Sequence, residues 1–213
     1  MQTQNLNLSK GRSAAKDKHE RILRAAIKVF ARNGFHNSKI SQIAKEAGVA
    51  DGTIYLYFKN KDDILIKVFE ERLEEINARF TEALAEIDSP EDKLRTFIEM
   101  HFRLMEQNRN LAEVISVELR QSHKFMKEYV PVKFGEYLNI VSHIIREGKD
   151  KGMFCDDVRP GVIKRALFGT LDELLVYWVL TPSPKYDIET LADQTAEIFI
   201  RALRKQPHDA DGK

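Results

Sequence analysis

The 213-residue sequence predicts an all-α protein of about nine helices, and three observations lead to that prediction. Apolar residues recur three and four positions apart over most of the chain, which is the spacing of one helix face. No segment alternates apolar and polar residues as a half-buried strand does. Only six prolines and ten glycines interrupt the chain, which leaves room for long helices.

The N-terminal part of the sequence predicts an arm followed by a three-helix bundle. Residues 1–15 are polar and aperiodic, and we expect a flexible basic arm there. The first helix should begin near Asp17 and end at Gly34, because glycine suits a left-handed cap. We expect Ser38 to cap a second short helix and a third short helix to cover about residues 51–58.

Longer helices are predicted over the rest of the chain. Asn60 is expected to cap a fourth helix, whose apolar stripe continues to Ile87. Pro131 should kink the seventh helix or mark a break in it. The eighth helix is apolar on nearly all sides and must therefore be buried by the chain or by a partner. The fifth to ninth helices are expected over about residues 90–107, 111–121, 123–149, 161–180 and 187–205.

Composition and charge narrow the class of protein. Apolar residues make up 43% and charged residues 31%, as in soluble globular proteins. The longest apolar run, Leu174–Leu180, is too short to cross a bilayer, and the first residues lack the apolar region of a signal peptide. A single cysteine, Cys155, excludes an internal disulfide and a cysteine-based zinc site. We therefore expect a cytoplasmic protein without a membrane partner.

The charge is distributed unevenly along the chain. The first 61 residues hold 12 basic and 4 acidic side chains, a net charge of +8, and the remaining 152 carry −7. A basic end on an acidic body suggests a module that meets a polyanion such as nucleic acid. A solvated basic surface would have the same composition.

Residues 40–58 have the pattern of a helix, a tight turn and a second helix. Ile43 and Ala47 supply an apolar face, Gly48 permits the turn, and Ile54 packs the second helix. This is the helix-turn-helix arrangement, whose second helix enters the major groove of DNA. Its outward residues are expected to be Thr53, Tyr55, Leu56 and Tyr57.

The segment SKISQIAKEAGVADGTIYLYFKNKDDIL (Ser38–Leu65) resembles the DNA-binding signature of the TetR family of bacterial transcriptional repressors. One departure is Ala50, where the family usually has a Ser or Thr helix cap, so that Asp51 or the backbone must cap the helix. The alternatives are a core position for Tyr55 and plain surface charge for Lys39 and Lys61. The resemblance implies a homodimer that binds double-stranded operator DNA through Ser38, Lys39, Ser41, Gly52, Thr53, Tyr55, Tyr57 and Lys61.

Two later segments, VELRQS (Val117–Ser122) and FGTLDE (Phe168–Glu173), resemble the branch of this family that represses fatty-acid-degradation genes. In that branch, long-chain acyl-CoA binds the C-terminal domain and releases the operator. The resemblance implies the same function here. The alternatives are a TetR-type repressor of an efflux or other gene that responds to a different hydrophobic ligand, and a helical lipid carrier or enzyme with an incidental basic arm. The corresponding domains are the arm (1–15), a DNA-binding domain (16–61) and a ligand-binding and dimerisation domain (62–213).

Aromatic and methionine side chains concentrate on the predicted fifth to eighth helices, which suits an acyl chain. A well-filled core would look the same. Nearby arginines could hold the phosphates of CoA, and Arg120 is preferred, with a salt bridge to Glu113 or Glu118 as the equal alternative. The expected ligand-binding residues are Phe97, His101, Phe102, Met105, Arg109, Arg120, Phe134, Tyr137, Phe168, Leu171, Leu175 and Trp178.

Catalysis and metal binding are not expected. The sequence has no phosphate-binding glycine loop and no nucleophile–base signature, and His101, His123 and His143 are far apart. We therefore expect no catalytic residue, no cofactor and no metal.

The eighth and ninth helices are expected to form the dimer interface, as a four-helix arrangement with the partner. The fourth helix is expected to link the domains as a lever, which changes the spacing of the two recognition helices when ligand binds. The expected interface residues are Gly169, Leu191, Thr195, Phe199, Ala202 and Leu203.

Overall fold

The computed structural model describes the backbone of residues 2–118 and 131–205. Over these ranges the regular elements are helical, and the all-α prediction is confirmed. Extended backbone pairs there only at the isolated antiparallel bridge between Phe154 and Arg204. The helices are α1 (Gln2–Asn33), α2 (Ile40–Ala47), α3 (Asp51–Ile54), α4 (Lys61–Ala85), α5 (Pro90–Gln107), α6 (Arg109–Glu113), the π-helical turn Val114–Glu118, α7 (Pro131–Asp150), α8 (Pro160–Leu180) and α9 (Ile188–Leu203).

The chain divides into two compact units, Met1–Glu71 and Arg72–Lys213. The boundary between them falls inside helix α4. The functional domains expected over residues 16–61 and 62–213 stay a prediction.

Helix α1 begins much earlier than the sequence pattern suggested. Its backbone is helical from Gln2, where an irregular arm was expected over residues 1–15. Residues 2–15 contain no proline and one glycine, Gly11, so little prevents the backbone hydrogen bonds from continuing. A lack of apolar periodicity therefore does not exclude a helical backbone.

The core of the first unit is formed where α1 packs on α2 and α2 packs on α3. Ile22 and Phe30 of α1 are fully buried, as are Ile43 of α2 and Ile54 of α3. The chain then turns through Phe58, which is also buried. Burial of large apolar side chains from every element holds the short helices together, since helices of four and eight residues are not stable alone.

Helix α5 is central to the second unit, where it packs against α7, α8 and α9. Its buried face includes Phe97 and Phe102, and Ile145 of α7 and Ile200 of α9 are buried in the same unit. No helix within the described ranges is both long enough and apolar enough to span a membrane.

Side chains cap the helices α4, α5 and α9. Ser89 accepts a hydrogen bond from the backbone N–H of Asp92 at 3.3 Å, and Asp187 accepts one from Thr190 at 2.8 Å. The predicted cap at Asn60 is confirmed, since its Oδ1 accepts from the N–H of Asp63 at 2.8 Å. Each cap satisfies a backbone donor that the first turn of the helix leaves free.

Candidate functional site

The turn between α2 and α3 is built largely from backbone. Gly48 has φ 64° and ψ 42°, the left-handed conformation that glycine adopts without strain. The N–H of Val49 donates to the carbonyl of Ala44 at 3.0 Å, which closes the end of α2. Helix α3 starts with the N–H of Thr53 donating to the carbonyl of Ala50 at 2.8 Å, so the backbone supplies what the alanine side chain cannot.

Arg21 secures this turn from α1. Its Nη2 donates to the carbonyl of Ala47 at 2.6 Å, one of the carbonyls that the end of α2 leaves without a helical partner. A Cβ added at Gly48 would lie 3.2 Å from the same guanidinium nitrogen. This role of Arg21 was not predicted from the sequence, because a single arginine on a helix carries no periodic signal.

Lys61 secures the loop that precedes α2. Its ammonium donates to the carbonyls of Phe35 at 2.6 Å, His36 at 3.0 Å and Ser38 at 3.0 Å. A lysine ammonium has three donors, so all of them are satisfied within the protein. The structure therefore gives Lys61 a structural role in place of the expected phosphate contact.

Ser38 does not cap α2, and this part of the prediction is wrong. The residue is buried, and its hydroxyl donates to the carbonyls of Gly34 at 2.7 Å and Val29 at 3.3 Å. Ser38 therefore binds back to the end of α1 and to Gly34, the residue that follows it, and not to α2. At the start of α2 the Oε1 of Gln42 accepts from the N–H of Lys39 at 2.8 Å instead.

The recognition helix is shorter than predicted. Regular α-helix ends at Ile54, and the next residues continue as hydrogen-bonded turns up to Phe58, whose N–H donates to the carbonyl of Ile54 at 2.9 Å. Tyr55 is 59% exposed and Leu56 is 81% exposed. Of the other expected DNA contacts, Lys39, Ser41 and Gly52 are exposed, and Thr53 and Tyr57 are half-buried.

The structure brings five of the expected ligand-binding residues together in the second unit. Their rings form an aromatic cluster, which consists of Phe80, Phe97, His101, Phe134, Tyr137 and Phe168. Ring centroids lie 5.2 Å apart for Phe80 and Phe97, and 4.8 Å apart for Phe134 and Phe168. Phe80 was not among the expected ligand residues, although it lies on the apolar stripe of α4.

A polar pair sits inside this apolar surrounding. Nδ1 of His101 lies 2.6 Å from the hydroxyl oxygen of Tyr137, within hydrogen-bond distance. Burial lowers the pKa of His101 to about 4, because the apolar surrounding disfavours the charged imidazolium. Burial raises the pKa of Tyr137, because it disfavours the phenolate. Both groups are therefore neutral at pH 7.

The other expected ligand-binding residues are divided between core and surface. Phe102, Met105, Leu171 and Leu175 are buried. Arg109 is held against α8, because its Nη2 donates to the carbonyl of Val179 at 2.7 Å and its guanidinium lies 4.8 Å from the ring of Trp178. Arg120, the preferred phosphate ligand, lies outside the described residues.

A cleft of about 130 Å³ adjoins the aromatic cluster through Phe80. Arg79 and Arg103 line it together with Gln107 and apolar side chains of α4 and α5. Arg103 also lines a second cleft of about 210 Å³, which contains the acids Glu99, Glu189 and Asp193. The first cleft thus combines two cations with direct access to an apolar ring.

The structure corrects the expected dimer seam on α9. Leu191, Thr195 and Leu203 are buried within the protomer, on a helix that packs against α5. Phe199 is half-buried, whereas Ala202 and Gly169 are exposed. Three of the residues that suggested an interface on α9 therefore face the chain's own core, and the rest of the expected interface stays a prediction. The large apolar side chains exposed on α8 and α9 are Val162, Leu180 and Ile198.

Among the described residues, no three His, Cys, Asp or Glu side chains form a group that could hold a metal ion.

Comparison with known families assigns both units. Residues 22–68 match the family model described as "Bacterial regulatory proteins, tetR family". Residues 69–202 match the model described as "YsiA-like protein, C-terminal region".

Individual relatives agree with this assignment. The chain is 39% identical over 189 residues to the fatty acid metabolism regulator protein of Bacillus subtilis. The aligned residues cover 89% of this chain and 97% of that protein. The crystal structure of FadR from B. subtilis in complex with stearoyl-CoA superposes with a TM-score of 0.81, covering 87% and 99% of the two chains. The fatty acid degradation regulator FadR from Bacillus halodurans gives a TM-score of 0.80 at 37% identity, with the same coverage. Together with the helix-turn-helix geometry, these matches show that the chain belongs to the TetR family of bacterial transcriptional regulators.

Proposed function

We propose that the protein is a homodimeric repressor of fatty acid metabolism genes that leaves its operator when long-chain acyl-CoA binds. The observation that carries the proposal is the likeness, at 39% identity and a TM-score of 0.81, to a regulator whose structure holds stearoyl-CoA. The protein works in the cytoplasm and catalyses no reaction.

The exposed side of the helix-turn-helix supports the DNA-binding half of the proposal. Lys39 and Ser41 lie exposed at the start of α2, where a cation and free backbone N–H groups favour a phosphate. Tyr55 and Leu56 project from the recognition turn and are suited to the methyl group of thymine in the major groove. We therefore assign phosphate contacts to the first pair and base contacts to the second.

An exposed stripe along α8 supports dimerisation. Val162, Ala166, Gly169 and Leu180 are exposed and share one helix face, since they lie at positions i, i+4, i+7 and i+18. Ile198 adds an exposed apolar side chain on α9, which packs beside α8. Small residues in the middle of the stripe permit close approach of a partner helix, so this stripe is the proposed interface.

The aromatic cluster is proposed to hold the acyl chain. Phenylalanine rings adapt to an apolar chain and supply no polar group that would be left without a partner. Arg79 and Arg103 are proposed to bind CoA phosphates, because one guanidinium group can donate two parallel hydrogen bonds to the oxygens of a phosphate. These two replace Arg109, whose guanidinium is already engaged with α8.

Helix α4 is proposed to carry the signal, because one continuous helix belongs to both units. In a dimer the two recognition turns must be about one DNA turn apart, ~34–36 Å, or a compatible multiple. The ligand is proposed to bind the conformation with misaligned recognition turns about a hundredfold more tightly than the DNA-binding conformation. Its binding then shifts the equilibrium between the two conformations by about 2.7 kcal/mol per site. This preference is enough to empty an operator.

Titration of a protein–operator complex with acyl-CoAs tests the proposal. The DNA is selected in vitro by repeated binding, and C4, C12 and C16 acyl-CoAs are compared in a mobility-shift assay. Affinity should rise by roughly 0.8 kcal/mol per buried methylene, so C16 should release DNA where C4 fails. Release by another hydrophobic compound alone would favour the alternative of a repressor for a different ligand. A protein that binds no DNA at any salt concentration would contradict the repressor assignment itself.

A further inference from the structure

Buried polar atoms of the second unit point to a ligand contact. Oδ1 of Asn77, Nε2 of His101 and Oγ of Ser116 are buried and have no hydrogen-bond partner within the described part of the chain. More than nine in ten buried polar groups in folded proteins do have a partner. A ligand that enters the unit can supply the missing ones.

Two of these atoms lie at the same end of the aromatic cluster. Asn77 is about one helical turn before Phe80 on α4, and its Nδ2 donates to the carbonyl of Lys133 at 3.1 Å. Lys133 is in turn one helical turn before Tyr137 on α7. The rings of Phe80 and Tyr137 are in contact, with centroids 5.6 Å apart. Asn77 therefore lies one turn from these rings, toward the start of α7.

His101 lies on the same side. It is one helical turn after Phe97 on α5, whose ring also contacts Tyr137 at 5.2 Å. An ion pair of 2.7 Å joins Lys93 near the start of α5 to Glu147 near the end of α7, so these two helices are antiparallel. Moving along α5 from Phe97 to His101 thus also leads toward the start of α7.

The tautomer of His101 follows from its partner. Both rings are neutral, and the hydroxyl of Tyr137 is 2.6 Å from Nδ1. If Nδ1 donated, the hydroxyl proton of Tyr137 would have no acceptor in this contact. If the hydroxyl donates to Nδ1, both atoms are satisfied and the histidine proton resides on Nε2. The end of the aromatic cluster toward the start of α7 thus carries one unused donor, Nε2–H of His101, and one unused acceptor, Oδ1 of Asn77.

We propose that Nε2–H of His101 donates to the thioester carbonyl of bound acyl-CoA and that Oδ1 of Asn77 accepts from the adjacent pantetheine amide N–H. This inference rests on the proposed function. A thioester followed by an amide offers an acceptor and a donor separated by the sulfur and two methylenes, which matches one donor and one acceptor on the protein. A free fatty acid offers a carboxylate instead, and a neutral imidazole and an amide oxygen have no charge to hold it. The pair thus selects CoA esters over free acids.

Two ligands of equal chain length test the carbonyl contact on the full-length protein. Stearoyl-CoA has the carbonyl, and S-octadecyl-CoA is a thioether without it. Isothermal titration should show wild type binding stearoyl-CoA about tenfold more tightly, because the thioether leaves a buried donor unpaired. His101→Leu should bind both ligands with nearly the same affinity. Tyr137→Phe should reduce the preference, since it removes the hydrogen bond that places the proton on Nε2.

Two controls separate this contact from general packing. Phe97→Leu should weaken both ligands and keep their tenfold ratio. Asn77→Leu should weaken both to the same extent, because both contain the pantetheine amide. Equal binding of both ligands by wild type overturns the inference and leaves the proposed function standing, and this outcome does not depend on how any variant folds. If wild type binds neither ligand while it binds DNA, the proposed inducer is wrong and the inference falls with it.

Discussion

The ammonium of Lys61 lies 4.5 Å from the ring centroid of Phe35 and donates a 2.6 Å hydrogen bond to the carbonyl oxygen of the same residue. Two more carbonyls of the same loop complete its donors. The first residue of α4 therefore fixes the loop that leads into α2. The position of α2 thus depends on the side chain of Lys61, whose ammonium group points into the protein.

Lys61→Met should weaken DNA binding without changing its dependence on salt. The variant leaves three backbone carbonyls without their donor, at a cost of about 1–3 kcal/mol in the stability of the first unit. Lys39→Met is the matched control, because Lys39 is exposed and should lose one phosphate contact. Its plot of log affinity against log salt should become shallower by about 0.9. Fluorescence anisotropy at four salt concentrations measures both slopes, and a shallower slope for Lys61→Met would restore a phosphate contact there.

Leu56→Ala should lower operator affinity by roughly 1 kcal/mol while the protein keeps its stability. Its side chain is 81% exposed, so its removal takes nothing from the core. If it contacts a thymine methyl, replacing that thymine with uracil in the operator should weaken wild type but have little further effect on the variant. An effect of uracil that is equal in both proteins at every thymine would show that Leu56 touches no methyl group.

Folding stability should fall as the pH drops below about 6.5, and His101 is the cause. Its pKa is about 4 in the folded protein and near 6.5 when the chain is unfolded, so the unfolded state binds more protons between these values. The free energy of unfolding should decrease by up to ~1.4 kcal/mol for each pH unit in this window. Urea denaturation of wild type and His101→Gln at pH 5 and pH 7 measures the effect. His143→Gln, at an exposed position of α7, should keep the wild-type dependence.

Gly148→Ala should destabilise the second unit. A Cβ at this position would overlap the ring of Phe154, which is fully buried, so the loop after α7 would have to move. A cost of about 1–3 kcal/mol is expected for such overpacking. Gly135→Ala on the same helix has open space around its Cβ and should be neutral or stabilising by roughly 0.5–1 kcal/mol. The midpoint temperature of thermal denaturation should therefore fall for Gly148→Ala and should stay unchanged or rise for Gly135→Ala.

Ile198→Glu should convert the proposed dimer to a folded monomer. The side chain is 62% exposed on α9, so the charge is tolerated by the protomer and opposed by a partner. Asp193→Lys on another face of the same helix should leave the dimer intact. Analytical ultracentrifugation distinguishes the two results. A stable dimer of Ile198→Glu would place the interface elsewhere.

Long apolar stripes predicted most of the fold. The stripe of α4 and the proline at the start of α5 gave the correct helices, because burial of periodic side chains is what stabilises them. On α9, three residues of a similar stripe were assigned to a dimer interface, although they are buried within the protomer. Periodicity shows that Leu191, Thr195 and Leu203 are covered, and a neighbouring helix of the same chain covers a side chain as well as a second protomer does.

Individual polar contacts could not be predicted in the same way. The roles of Ser38, Lys61 and Arg21 depend on which carbonyls the fold leaves without donors, and those carbonyls belong to residues up to 26 positions away. The residue types that hold a loop together are the same types that hold a phosphate. Only the three-dimensional arrangement distinguishes the two uses.

The packing of α9 on α5 has a consequence for synthesis of the protein. Glu91 pairs with Arg204 across 113 positions, and Arg95 pairs with Glu197 across 102, so the second unit cannot close until the last helix leaves the ribosome. The first unit is complete within 71 residues and can fold while translation continues. A prematurely terminated chain would therefore contain a folded first unit, with its helix-turn-helix, but no folded second unit. Proteolysis of ribosome-stalled chains should show the first unit protected before α9 has been made.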